Sequence, residues 1–253
     1  MSHVPLTDDL LRQRAHEASA YVAFLKVAVE RRAVLSARDG EVQFPLGLEL
    51  THTLKANLLL LLYSAMEATL IQLLDEMHDV IGANCSSADD LNAQLLRLVL
   101  RTVKKDAKAK VLSSAAPLHT SLFRYWMDDW KSRTSGKDKR VDGISGSVDS
   151  LVIYEQLKKF GVVSPTPDDR PPAHLTDQAL QKVKNNRNEL AHGEKSFTDL
   201  GRDLAVPALE ADSIAVFETL RKISMEVDNY LQNRRYLALV PANEVAAEAG
   251  SDA

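Results

Sequence analysis

Between Leu50 and Ile81 the chain contains neither glycine nor proline, and the run closes on Gly82-Ala83-Asn84. Strands in globular proteins rarely exceed ten residues, so this stretch predicts one long helix over residues 50–81. Leu58 to Leu62 make its first half strongly apolar, which marks it as largely buried. Across all 253 residues there are only 10 glycines and 9 prolines; turns are few and elements long. The expected fold class is therefore all-α, a helical bundle with long antiparallel helices and inserted loops.

Further helices follow from capping residues and helical spacing. Thr7 or Asp8 opens a first helix over residues 7–38, with Leu10, Leu11, Ala18, Val22, Leu25 and Val29 recurring at helical intervals and Asp39-Gly40 as its stop. The cluster Ser86-Ser87-Ala88-Asp89-Asp90 begins a third helix, to about residue 105, and the basic segment 104–110 is expected to fray. A helix over 117–131 carries Phe123, Tyr125, Trp126 and Trp130, read as core anchors. Residues 133–147, with Lys137, Lys139 and Arg140, form a positively charged loop. Asp149 or Ser150 opens a helix that stops at Gly161; another runs from Thr176-Asp177 to Ala191-His192 with Gly193 as its stop; Asp212 caps a last helix to about Arg235. No strand pair is expected. One domain over residues 1–240 and a small, acidic, disordered tail over 241–253 complete the expectation.

Composition narrows function. The net charge of −4 gives no global attraction to nucleic acid, so any such contact must rest on a local patch. A single cysteine, Cys85, excludes an intramolecular disulfide. The first residues lack the basic and apolar regions of a secretory signal, and the apolar stretch Leu58 to Tyr63 is far short of the roughly 18 residues of a membrane span. A soluble, cytoplasmic protein without membrane contact is expected. Phosphate-loop, HExxH, GxSxG and clustered-cysteine patterns do not occur, and no two of the 7 histidines are four residues apart. Neither a metal nor a cofactor is expected.

One segment concentrates reactive side chains: Lys184-Asn185-Asn186-Arg187-Asn188-Glu189-Leu190-Ala191-His192-Gly193. On a helix, Asn188 and Asn185 lie about 40° and about 20° from His192, whereas Arg187 lies about 140° away. Histidine takes and returns a proton near neutral pH. Arginine offers a planar, permanently charged fork for a phosphate and its transition state. Attack of an RNA 2′-OH on the adjacent phosphate needs this equipment. Because Arg187 points away, the two meet within one copy only if its long side chain curls back or the helix end distorts; two subunits sharing a cleft would remove that need. On the buried 50–81 helix, Asn57, Ser64, Glu67, Asp75 and His78 form a stripe about 80° wide, and Glu67 is expected to face and hold Arg187.

Arg187-Asn188-x-x-x-His192 resembles the signature of the HEPN superfamily. The longer run Arg187 to Phe197, followed by Gly201-Arg202, resembles MAE-type HEPN-like nucleases found among bacterial defence and toxin–antitoxin genes. Two flanking stretches are also similar to that family: Lys55 to Thr69, and Ser145-Gly146-Ser147-Val148-Asp149 leading to Phe160-Gly161-Val162. The resemblance spans residues 7–235. It implies a dimerising helical bundle and metal-independent endoribonuclease action, with Arg187 and His192 as key residues and Asn188 assisting. Asn185 and Glu67 are supporting candidates, and Lys184, Lys195 and Arg202 are candidate substrate-binding cations. A related branch places a tyrosine two residues after the histidine; here Glu194 stands there, so control through that tyrosine is not implied.

The expected function is a toxin or defence endoribonuclease with an RNA substrate, a second copy of itself and an antitoxin or other defence protein as partners. The competing expectations are a non-catalytic HEPN module binding RNA, a nucleotide or a protein, and a purely structural adaptor.

Overall fold

In the computed structural model, the uninterrupted run becomes α2 (Leu48–Asn84), 37 residues and about 55 Å long. The structure describes residues 6–30, 33–36, 43–103, 105–112, 115–135, 144 and 148–238. By length and composition α2 would also suit a membrane span. Its apolar residues are instead spent on a protein core: Leu58, Leu59, Leu62, Ala65, Met66, Leu70 and Leu73 are all at most 1% exposed.

The described elements are α1 (Leu6–Glu30), β1 (Val34–Ser36), β2 (Gln43–Pro45), α2, α3 (Ala93–Thr102), α4 (Lys105–Leu112), α5 (Leu118–Ser135), α6 (Ser150–Phe160), α7 (Gln178–Ala191), α8 (Phe197–Arg202) and α9 (Val206–Gln232), with short 3-10 turns at Ala88–Asp90 and Ala173–Leu175. The fold is all-α apart from one small hairpin.

That hairpin corrects the sequence expectation at two points. The first helix ends at Glu30, not near residue 38, and β1 pairs antiparallel with β2 in the register Val34 to Pro45, Leu35 to Phe44 and Ser36 to Gln43. Two three-residue strands are too short to show an alternating pattern, and all their side chains are exposed, so the sequence carries no buried face to reveal them. Three further boundaries move. The Ser87–Asp90 cluster forms a capping box on a 3-10 turn rather than starting α3, which Asn92 caps instead. The basic 104–110 segment lies largely within α4. Finally, α9 starts at Val206, so Asp212 lies inside it and is an ion-pair partner rather than a cap. Of the charged loop, residues 136–143 and 145–147 lie outside the described residues, as does the 241–253 tail.

The chain forms two compact units. The first comprises Met1–Glu76, Val141–Glu155 and Pro165–Glu226; the second comprises Met77–Arg140, Gln156–Ser164 and Val227–Ala253. In the first unit, α1 is tied down by its own polar groups: Lys26 Nζ meets Glu210 at 2.6 Å, Ser224 Oγ donates to Asp8, and the Thr7 N–H donates to the buried Glu76 carboxylate. In the second unit, His78 is buried against Trp126, stacked on Trp130 at 4.1 Å and edge-on to Phe160. Phe123 and Trp126 are buried core aromatics, as their spacing suggested.

Candidate active site

The helix that carries the Arg187 to His192 signature is defined at both ends by its sequence. Asp177 accepts a hydrogen bond from the Ala179 N–H at 2.7 Å and starts α7. His192 is the C-terminal cap, and Gly193 at φ +70° turns the chain out of the helix, a conformation glycine adopts without a Cβ clash. Ala179, Leu180 and Val183 form the buried face. Two lysines pin the flanks, Lys182 to Asp212 of α9 at 2.5 Å and Lys184 to Asp149 at 2.6 Å. The second pair is the more enclosed, with the Asp149 side chain 6% exposed. The other Asp149 oxygen accepts from the Val152 N–H at 2.9 Å and caps α6.

Arg187 turns toward α2. Its guanidinium carbon lies 4.6 Å from the centroid of the Tyr63 ring, within cation–π range, and Nη1 donates to Asn188 Oδ1 at 3.2 Å. Tyr63 is itself 4% exposed, and its hydroxyl oxygen accepts the Val148 N–H at 3.1 Å. Burial raises the phenol above its usual range, the bond from Val148 opposes that, and the charge of Glu67 raises it while those of Arg187 and Lys184 lower it. Among the described residues no ion pair is seen between Glu67 and Arg187, whose guanidinium meets the Tyr63 ring.

The remaining candidates divide. His192 is exposed at the helix end, and Asn188 is half-buried one turn before it. Asn185 is exposed and accepts from Gln181 Nε2 at 2.8 Å. Lys184, a candidate substrate-binding cation, pairs with Asp149. Lys195 pairs with Glu189 at 2.9 Å, and this pairing, ahead of the charges of Asp203 and Glu194, holds its ammonium form above the usual range. Arg202 pairs with Asp199 at 3.2 Å on α8. It also lies near His52, whose imidazole is lowered by burial first, then by Lys55 and Arg202. α8 meets α2 at this point without space for a side chain. A Cβ on Gly201 would stand 1.8 Å from the His52 carbonyl oxygen, and Lys55 Nζ donates to the Leu204 carbonyl at 2.6 Å.

Three stretches far apart in sequence therefore converge on one helix: Tyr63 and Glu67 from α2, Val148 and Asp149 before α6, and Lys184 to Asn188 on α7. The MAE_28990-like HEPN family model matches residues 5–236. The chain belongs to this family. No curated protein and no solved structure matches it.

In this HEPN chain, the residues that sequence reasoning passed over are Tyr63, Val148 and Asp149. Each lay inside a stretch that already resembled the family, and Asp149 was read there only as a helix opener. Their signal was the coincidence of three separate similar segments, which the fold explains as a single contact cluster. Arg187 is held against Tyr63 on one flank of α7, and His192 stands at its exposed end.

Proposed function

We propose that this HEPN chain is an endoribonuclease that cleaves RNA by internal attack and needs no metal ion for it. In this scheme His192 takes the 2′-OH proton as the 2′ oxygen bonds to the adjacent phosphorus, and Arg187 holds the charge on the phosphate oxygens. The bond from phosphorus to the 5′ oxygen breaks, and that oxygen receives the proton back. The products are a 2′,3′-cyclic phosphate and a 5′-hydroxyl end.

The observation that carries this reading is the Arg187 guanidinium fixed between Tyr63 and Asn188, on the same helix as an exposed imidazole five residues on. A guanidinium oriented before substrate arrives loses little freedom on binding a phosphate. Because Arg187 and His192 point about 140° apart on α7, two copies share each cleft, one supplying arginine and the other histidine. The biological setting we propose is a cytoplasmic toxin or defence effector restrained by an antitoxin or other defence protein. Incubation of total RNA with wild type, Arg187→Ala and His192→Ala in EDTA tests the reading. Cleavage by wild type alone is expected, and cleavage that persists in both variants overturns it.

The second reading, a non-catalytic module binding RNA or a partner, is favoured by one feature: among the described residues no side chain orients the His192 imidazole. Under it, RNA binding persists in His192→Ala and wild type yields no product.

A further inference from the structure

α7 carries a row of amide side chains, of which the cleavage scheme uses Asn188 alone. On a helix turning about 100° per residue, Gln178, Gln181, Asn185 and Asn188 all fall within about 40° of His192. Gln178, Gln181 and Asn185 are exposed, and Asn188 is half-buried. The row extends about 21 Å from the first residue of the helix to its cap, long enough to meet several consecutive nucleotides of an extended strand. Gln181 Nε2 donates to Asn185 Oδ1 at 2.8 Å. That bond fixes the two amides relative to one another, leaving a carbonyl on Gln181 and amide hydrogens on Asn185 to face a ligand.

Along this row lies a groove of about 600 Å³, bounded by Gln178, Gln181, Lys182, Asn185, Glu189 and Asp212. Its charges cancel in pairs: Lys182 meets Asp212 at 2.5 Å, and Glu189 meets Lys195 at 2.9 Å. A neutral groove lined with amides has little to offer a phosphate, which is drawn to unpaired cations. It suits uncharged edges that both donate and accept, and asparagine and glutamine pair with base edges in that way. A-form duplexes hide those edges in a deep, narrow groove, whereas single strands expose them.

We propose that the Gln178, Gln181 and Asn185 face of α7 is a base-reading subsite for single-stranded RNA, which leads the strand to His192. The position of the scissile phosphate rests on the endoribonuclease reading above; the capacity of the groove to hold unpaired bases does not. The amides give the enzyme sequence preference next to the cut, and Arg187 and His192 give it chemistry.

The test uses the full chain and the double variant Gln181→Ala/Asn185→Ala, with melting temperature as the control for folding. Cleavage sites and kcat/KM are mapped on a single-stranded RNA containing every dinucleotide step. Binding is read by anisotropy of a labelled mixed-sequence oligoribonucleotide, single-stranded or duplex, in the His192→Ala background. The expected result is loss of base preference with a fall of about tenfold in kcat/KM and in single-strand affinity, and no change toward the duplex. Unchanged cleavage sites and affinity overturn the subsite. A change in oligomeric state by sedimentation with base preference intact also overturns it, assigning the row to a contact between copies. If wild type cuts nothing but the double variant still loses single-strand affinity, the nuclease reading fails and the subsite stands. If wild type neither cuts nor binds the single strand, both fall.

Discussion

Replacing Tyr63 separates its two roles, because its ring and its hydroxyl contact different groups. The ring lies under Arg187 at 4.6 Å and the hydroxyl oxygen accepts the Val148 N–H at 3.1 Å. Tyr63→Phe keeps the ring and leaves a buried N–H without its acceptor, at a cost of about 1–2 kcal/mol. Tyr63→Leu removes both and opens space in a site that is 4% exposed, costing about 2–4 kcal/mol in stability. For a chain of this size, each kcal/mol lowers Tm by about 2–4 °C. Their effects on catalysis should differ more sharply. A cation–π contact to a partly desolvated guanidinium is worth about 1–2 kcal/mol. If that contact positions Arg187, Tyr63→Leu lowers kcat by about five- to thirtyfold, while Tyr63→Phe stays within about threefold of wild type. The assay is cleavage of a labelled RNA at a temperature where circular dichroism shows each variant fully folded. Equal activity of a folded Tyr63→Leu variant and wild type refutes the positioning role, as does equal impairment of Phe and Leu, which would shift it to the hydroxyl.

Other outcomes follow from single contacts. Asp149→Ala strands the half-buried Lys184 and uncaps α6, so it should destabilise by about 3–5 kcal/mol in urea titration, more than Lys184→Met does. Gly201→Ala places a methyl 1.8 Å from the His52 carbonyl and should cost about 2 kcal/mol or more, whereas Gly47→Ala, with open space around it, should leave Tm nearly unchanged. The Cys85 thiol is pushed up from 9.0 to about 11 by burial first, then by Asp90. It should therefore resist alkylation in the native chain at pH 8 and react on unfolding. The same shift has a sign for stability. Between pH 9.0 and about 11 the unfolded thiol loses its proton while the folded one keeps it, so stability falls as pH rises through that window. Cys85→Ala should flatten that part of the alkaline profile.

How far the sequence reveals this molecule depends on where its constraints are local. α2, α6 and α7 are legible because capping residues, a buried stripe and a terminal glycine all act within a few residues, as Asp177, Val183 and Gly193 do for α7. The β1–β2 hairpin is illegible because its strands are three residues long and wholly exposed. Asp212 shows a second kind of ambiguity. Aspartate is as suitable for a helix cap as for an ion pair, and only the proximity of Lys182 from another helix decides between them. The same holds at the site: Glu67 and Tyr63 share one face of α2, and helical periodicity cannot say which of them a guanidinium will meet. Nor does the sequence show that Lys184 has Asp149, 35 residues away, beside it.

In the proposed reaction, Arg187 of one copy and His192 of another serve one cleft. Mixing the two inactive variants, Arg187→Ala and His192→Ala, after co-refolding tests it directly, since each mixed pair then contains one cleft with both groups intact. The mixture should regain EDTA-resistant cleavage, ending in 2′,3′-cyclic phosphates, while each variant alone has none. A mixture as inactive as its components, with sedimentation showing that mixed pairs formed and wild type active in the same assay, would rule out the shared cleft.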